Sequence, residues 1–168
     1  MIHVYTGNGK GKTTAAIGVT MRAVANRMSV YFGQFMKQGF SSEHKIFADY
    51  PELITLQQFG TGKFVMDNPS TEDYEKAVSG WKSCLEAINS KRYDLVVMDE
   101  LNLVLNSELI PVGDVLGVLA NKPKQLEIII TGRYAKEEII NAADLVTEMK
   151  EIKHYHQKGQ PARIGIEK

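Results

Sequence analysis

Six short apolar runs punctuate the chain: Ile2–Tyr5, Val30–Phe35, Ile54–Phe59, Leu95–Met98, Ile128–Thr131 and Leu145–Met149. They are rich in Val and Ile and too short for helices, so they read as buried strands. Longer helix-like segments separate them. That alternation predicts an α/β fold in three layers, with a mostly parallel sheet of about six strands between two helical faces. Thr13–Asn26 reads as a helix opened by a Gly-rich loop. Ser70 or Thr71 can cap a long helix to about Ser90, with Glu72 and Asp73 in its positive first turn. Pro111 suits the first position of a helix ending near Leu119, and Lys136–Ala143 is a further short helix. Val78, Trp81 and Leu85 share helical spacing, which assigns Trp81 to the core. Gly39–Lys45 and Gly60–Pro69 are the loops with most room for function. From His154 to Lys168, Gly159, Pro161 and Gly165 indicate an irregular C-terminal arm.

Composition narrows the class. With 168 residues, 43% hydrophobic and 24% charged, the chain suits one globular domain over residues 1–168. A domain of this size buries roughly 70% of its unfolded surface and needs no metal or disulfide staple. The single Cys84 excludes an intramolecular disulfide and a Cys-based zinc cluster, and it fits a reducing compartment. No apolar run approaches the roughly 20 residues of a membrane span. Lys10 and Lys12 follow the first apolar segment, the reverse of a signal peptide, so a cytoplasmic location is expected. The 20 basic and 20 acidic side chains cancel, with no compositional sign of nucleic-acid binding. Their distribution is uneven. Residues 1–42 hold Lys10, Lys12, Arg22, Arg27 and Lys37 and no acid, residues 43–149 are acidic, and residues 150–168 are again basic. An acid-free segment is either a platform for an anion or a chance cluster on a solvated face.

The first strand decides between these. Ile2–Tyr5 runs into Thr6-Gly7-Asn8-Gly9-Lys10-Gly11-Lys12-Thr13-Thr14 and then into helix, which is a P-loop in its required context. Glycines let backbone N–H groups converge on phosphate oxygens, and the helix adds its positive end. Lys12 would neutralise a phosphate and the Thr13 hydroxyl would reach Mg²⁺. The first position is Thr6 where the common pattern has Gly. A second run, Tyr93 to Glu100, ends in the paired carboxylates Asp99 and Glu100. Ligands bind at the carboxyl ends of parallel strands, so these acids should face the P-loop crevice and hold Mg²⁺ directly or through its waters. A solvated strand end is the plainer alternative. Thr131-Gly132-Arg133 ends another strand, so Arg133 either reaches the nucleotide or is a surface arginine. His154 and His156 are a metal pair or, without further ligands, surface residues. The inventory is strong in groups that hold triphosphate and metal and weak in groups that move protons, which suits a nucleophile supplied from elsewhere.

Val4-Tyr5-Thr6-Gly7-Asn8-Gly9-Lys10-Gly11-Lys12-Thr13-Thr14-Ala15-Ala16 is more specific than a generic P-loop. It resembles the opening of the P-loop-type ATP:corrinoid (cob(I)alamin) adenosyltransferases. Gln34-Phe35-Met36-Lys37, Asp99-Glu100, Ile130-Thr131-Gly132-Arg133, the run from Ala143 to Met149, Ile152-Lys153-His154 and the stretch from Lys158 to Glu167 follow in that family's order. The resemblance spans essentially the whole chain. It implies a RecA-like P-loop fold, and transfer of the 5′-deoxyadenosyl group of ATP to the cobalt of a reduced corrinoid with release of triphosphate. It also implies a triphosphate gripped by Gly7 through Thr13, with the γ-phosphate where other P-loop proteins hold the α or β region. On that analogy Gly7, Asn8, Gly9, Lys10, Gly11, Lys12, Thr13, Thr14, Lys37 and Arg133 bind ATP. Lys10 and Lys12 supply charge to the leaving group, and Thr13 and Glu100 hold Mg²⁺ with Asp99 nearby. Lys12, Lys10 and Glu100 are then the catalytic set. A homodimer and a flavoprotein reductase that delivers Co(I) are the implied partners.

One departure stands out. Better-known members of that family carry a Phe-x-Trp pair after the third strand, against the corrinoid, whereas Gly60 to Met66 here has one aromatic, Phe64. Phe64 is the candidate corrinoid contact, with a packed loop anchor as the alternative. Two other classes remain at this point: a P-loop kinase or ATPase acting on a nucleoside or other small molecule, and a regulatory nucleotide-binding module.

Overall fold

The computed structural model describes residues 1–62 and 69–167. Six strands, β1 (Ile2–Thr6), β2 (Val30–Phe35), β3 (Ile54–Phe59), β4 (Leu95–Asp99), β5 (Glu127–Thr131) and β6 (Leu145–Glu148), form one sheet in the order β3-β2-β4-β5-β1-β6. Every pairing is parallel. Parallel neighbours need crossovers, and the helices supply them: α1 (Lys12–Ala25), α2 (Glu43–Ala48), α3 (Thr71–Asn89), α4 (Leu101–Asn106), α5 (Val112–Asn121) and α6 (Glu137–Ala142).

Alternation along the strands feeds two separate cores. Val4, Tyr31, Val96, Met98, Ile128 and Ile130 pack with Trp81, Cys84, Ile88, Leu101, Val104, Val115 and Ile139 from α3, α4, α5 and α6. Tyr5, Phe32, Leu95, Val97 and Ile129 pack with Ala16, Ala23 and Val24 of α1 and Phe47 of α2. A strand buried on both sides cannot show polar alternation, which is why these runs are continuously apolar. The result is a P-loop NTPase-like three-layer fold.

Helix α3 begins as its sequence predicts. Ser70 accepts from the Asp73 backbone N–H at 3.2 Å while the Asp73 carboxylate accepts from the Ser70 N–H at 2.9 Å. Two expectations are corrected, and one element escapes prediction. Gly39–Lys45 is not all loop, because α2 starts at Glu43. The short helix α4, directly after β4, escapes prediction because six apolar-rich residues following a strand have no visible period of their own. β6 is apolar in sequence yet exposed along its length: unlike β3, the other edge strand, it has no described helix packed extensively against it.

Register places the site. Tyr5 is level with Thr131, Met98 with Ile130 and Gln34 with Asp99. The carboxyl ends of β1, β5, β4 and β2 therefore meet along one edge, where open parallel sheets bind ligands.

Candidate functional site

The loop after β1 is held from outside as well as within. Gly9 N–H donates to Met149 O at 2.7 Å, and Met149 N–H donates to Thr6 O at 2.8 Å. A Cβ on Gly9 would lie 2.8 Å from that same Met149 oxygen, and one on Gly7 only 2.4 Å from it. Both glycines are thus required by the close approach of the chain leaving β6. Lys12, the first residue of α1, is 7% exposed, and its ammonium donates to Gly7 O at 2.7 Å and Gly9 O at 2.8 Å. Burial pushes its pKa down against the pull of Glu100 and Asp99, with Arg133 adding to the depression. A buried cation resting on two carbonyls is available for a stronger partner.

Asp99, fully buried at the end of β4, organises the other wall. Its Oδ1 accepts from Thr13 at 2.9 Å and from Thr131 at 2.6 Å, and its Oδ2 takes the Lys37 ammonium at 2.6 Å. Lys37 also reaches the Thr13 hydroxyl at 3.3 Å. Burial opposes the charge on Lys37, but Asp99, Glu100 and Glu43 together outweigh it and leave its pKa raised. Two left-handed residues aim these groups: Met36 (φ 56) turns β2 toward Lys37, and Glu100 (φ 63) turns β4 into α4. Such conformations cost about 1–3 kcal/mol each and concentrate at functional sites. The Glu100 carboxylate makes no hydrogen bond to a described residue. Burial and the neighbouring Asp99 raise its pKa, while Lys37, Lys12 and Arg133 pull it back. An ionisable oxygen pair kept short of partners is suited to an incoming cation.

Two clefts adjoin at this edge. The first, about 420 Å³, is lined by Asn8 through Thr14, Met36, Lys37, Glu100, Leu103, Arg133, His154, Ile166 and Glu167. Its floor is the phosphate-type cradle. The second, about 570 Å³, is lined by Ile17, Gln38 through Glu43, Ile46, Gln58 and Gly62, and shares Thr13, Thr14, Met36, Lys37, Ile166 and Glu167 with the first. Beneath it the buried Gln34 accepts from His44 at 2.9 Å and Gln58 at 3.1 Å and donates to Glu43 at 3.2 Å. The two clefts meet at Thr13, Lys37 and the arm.

The sequence-derived residues come together. Asn8 through Thr14, Lys37, Glu100 and Arg133 line the first cleft, Gly7 lies in the same loop, and Asp99 sits behind Thr13. Lys10 is the exception in direction: its side chain is 38% exposed and its ammonium is bonded to Tyr155 at 2.8 Å and Glu167 at 3.0 Å. Phe64 falls outside the described residues. His154 lines the first cleft and its Nδ1 accepts from His156 N–H at 3.0 Å. Among the described residues no cluster of three or more His, Cys, Asp and Glu side chains suits a metal. Sequence reasoning missed Thr131, whose hydroxyl donates to Asp99 and accepts from Glu100 N–H at 3.0 Å. A threonine closing a buried strand was the available signal. It also missed Tyr155, and it gave no role to Glu167, which closes the stretch that resembles the family.

Fold and cleft together define a P-loop nucleotide-binding α/β protein. The profile of the family described as ATP:corrinoid adenosyltransferase BtuR/CobO/CobP matches residues 1–167. Relatives named corrinoid adenosyltransferase agree. That of Pseudomonas aeruginosa is 34% identical over 165 residues, covering 98% of this chain and 81% of its own. That of a Sinorhizobium species is 36% identical, covering 99% and 79%, and that of Escherichia coli K12 is 34% identical, covering 99% and 85%. The chain belongs to the ATP:corrinoid adenosyltransferase family.

Proposed function

We propose that the chain transfers the 5′-deoxyadenosyl group of ATP to the Co(I) centre of a reduced corrinoid, in the formation of adenosylcobalamin, and that residues 1–168 form a single adenosyltransferase domain. The carrying observation is the junction of two clefts at one strand edge, one floored by a phosphate-type cradle and the other roomier, with Thr13, Lys37 and Ile166 common to both. A transfer between two bulky substrates needs that adjacency.

Co(I) supplies the electron pair. It attacks C5′, the C5′–O5′ bond breaks, and triphosphate leaves with the bonding pair, so no general base is required. The protein aligns C5′ with cobalt and stabilises charge on the departing triphosphate. Gly7, Asn8, Gly9, Gly11 and Thr14 form the cradle, while Lys12, Lys10, Lys37 and Arg133 supply positive charge. Thr13 and Glu100 are hard oxygen donors suited to Mg²⁺, which keeps several of its waters. Asp99, with both oxygens engaged, acts behind them by orienting Thr13. When bound, the ion neutralises triphosphate charge. Phe64, two positions beyond the cleft-lining Gly62, is assigned to the corrinoid. Family membership supports a homodimer, a flavoprotein reductase as the source of Co(I), and a cytoplasmic location. No described helix is long and apolar enough to cross a membrane.

Product analysis tests the reading. Incubation with ATP, Mg²⁺ and cobalamin under strong reductant should yield triphosphate and a light-sensitive Co–C product. ADP without alkylated corrinoid would sink it. Lys12→Ala should lower kcat/KM by at least about 100-fold, with circular dichroism unchanged.

A further inference from the structure

The arm is tied onto the P-loop at Lys10, whose ammonium donates to the Tyr155 hydroxyl at 2.8 Å and to the Glu167 carboxylate. Glu167 Oε1 receives the Lys10 ammonium at 3.0 Å and the Arg163 Nη2 at 2.9 Å, and Tyr155 donates its hydroxyl to the same oxygen. Glu167 Oε2 accepts from Arg163 Nε at 3.2 Å and from Arg163 backbone N–H at 2.7 Å. The Tyr155 ring lies beneath both cations, 5.5 Å from Lys10 and 5.2 Å from Arg163. Arg163 foremost, then Tyr155, with Lys10 also contributing, hold the Glu167 carboxyl well below the usual carboxylate range. Gly165 N–H donates to Ser42 Oγ at 3.2 Å, across the second cleft. Glu167 and Ile166 line both clefts and so form the partition between them.

These contacts describe an anion seat already filled by the protein's own anion. Two cations, a hydroxyl and a backbone N–H converge on one carboxylate, the donor set that binds phosphoryl oxygens. One of the cations, Lys10, belongs to the P-loop itself. We propose that Glu167 is a removable plug in an accessory polyphosphate seat built from Lys10, Tyr155 and Arg163. The incoming triphosphate takes over Lys10 and Arg163, and segment 163–167 then leaves the partition between the clefts. Arg163 thereby becomes a triphosphate-binding residue delivered by the arm, and the path from C5′ to the second cleft opens only after nucleotide is seated. This rests on the reading that triphosphate occupies the P-loop cleft.

Binding without corrinoid isolates the proposal, using calorimetry with ATP and, separately, inorganic tripolyphosphate. Glu167→Gln keeps size but removes the competing charge and one of the two accepting oxygens, and it should bind both ligands about three- to five-fold tighter than wild type. Adding Arg163→Met to that variant should weaken binding by a similar factor, because the plug is then absent and only the contact to ligand is lost. Equal affinities of wild type and Glu167→Gln, or of the single and double variants, would overturn the proposal. Hydrogen exchange on the wild-type protein removes dependence on the variants' folding. The Arg163 and Gly165 amides should exchange several-fold faster with saturating tripolyphosphate, and unchanged or slower exchange would count against it. Failure of wild type to bind either ligand would instead defeat the triphosphate reading beneath it.

Discussion

Asp99 accepts three hydrogen bonds inside the protein, two on Oδ1 from Thr13 and Thr131 and one on Oδ2 from Lys37. Its neighbour Glu100 has no such satisfaction, and the difference sets what each can do. Asp99, buried and paired, is a fixed counter-ion that holds a lysine and a threonine in place. Glu100 has its pKa raised first by burial and then by Asp99. The folded protein therefore keeps the Glu100 proton to higher pH than the unfolded chain does. The unfolded state binds fewer protons in that window, so this residue's contribution lowers stability as pH rises from the ordinary value of 4.5 through the raised one. Glu100→Gln should flatten that part of the stability profile. Thermal melts of both proteins across the acidic-to-neutral range check it, and parallel profiles would contradict the assignment.

At the scale of elements, the P-loop depends on parts distant in sequence. Gly7 and Gly9 accommodate the backbone at Met149, so β6 is exposed as an edge strand yet fixes the cradle. Helix α3 packs Trp81 and Ile88 into the core, and at Gly80 it comes too close to β2 and β3 for any side chain. A Cβ at Gly80 would meet Phe35 Cε1 and Phe59 Cγ, each at 2.7 Å. Gly80→Ala gains about 1 kcal/mol in helix propensity. Overpacking two rings in a filled core costs about 1–3 kcal/mol. The variant should therefore be no more stable than wild type and up to about 2 kcal/mol less so, measured by urea unfolding. A clear gain in stability would mean that α3 can shift without cost. The buried strands and the long helices were legible because each buries enough of its own residues to carry a period or a continuous apolar run, and β6 was legible from apolar residues that the fold leaves exposed. α4 and the seat of the arm were not, since six residues hold no reliable period and the arm's contacts are all long-range.

Across the whole molecule, a net charge of zero conceals a polarised site. Lys10, Lys12, Lys37 and Arg133 are gathered at one sheet edge, while the acid-rich middle of the chain supplies Asp99 and Glu100 opposite them. A neutral protein with this distribution should still bind ATP in a salt-dependent manner. We expect the Kd for ATP to rise several-fold between about 50 and 500 mM monovalent salt, because partly exposed charges are screened over roughly a Debye length. A Kd insensitive to salt would place the binding energy elsewhere.

By itself the sequence determined the local chemistry: a strand, a glycine-rich turn with Lys12 and Thr13, a second strand ending in two carboxylates, and the apolar runs that must be buried. These follow from bond geometry and periodicity within a few residues. Tertiary structure decided which charges meet. It paired Lys37 with Asp99 across two strands, set Thr131 behind them, propped the cradle on Met149, and brought Glu167 to Lys10 across nearly the full length of the chain. Such contacts depend on sheet order and crossover, and no local pattern records them, because their energy is gained only once the layers have closed.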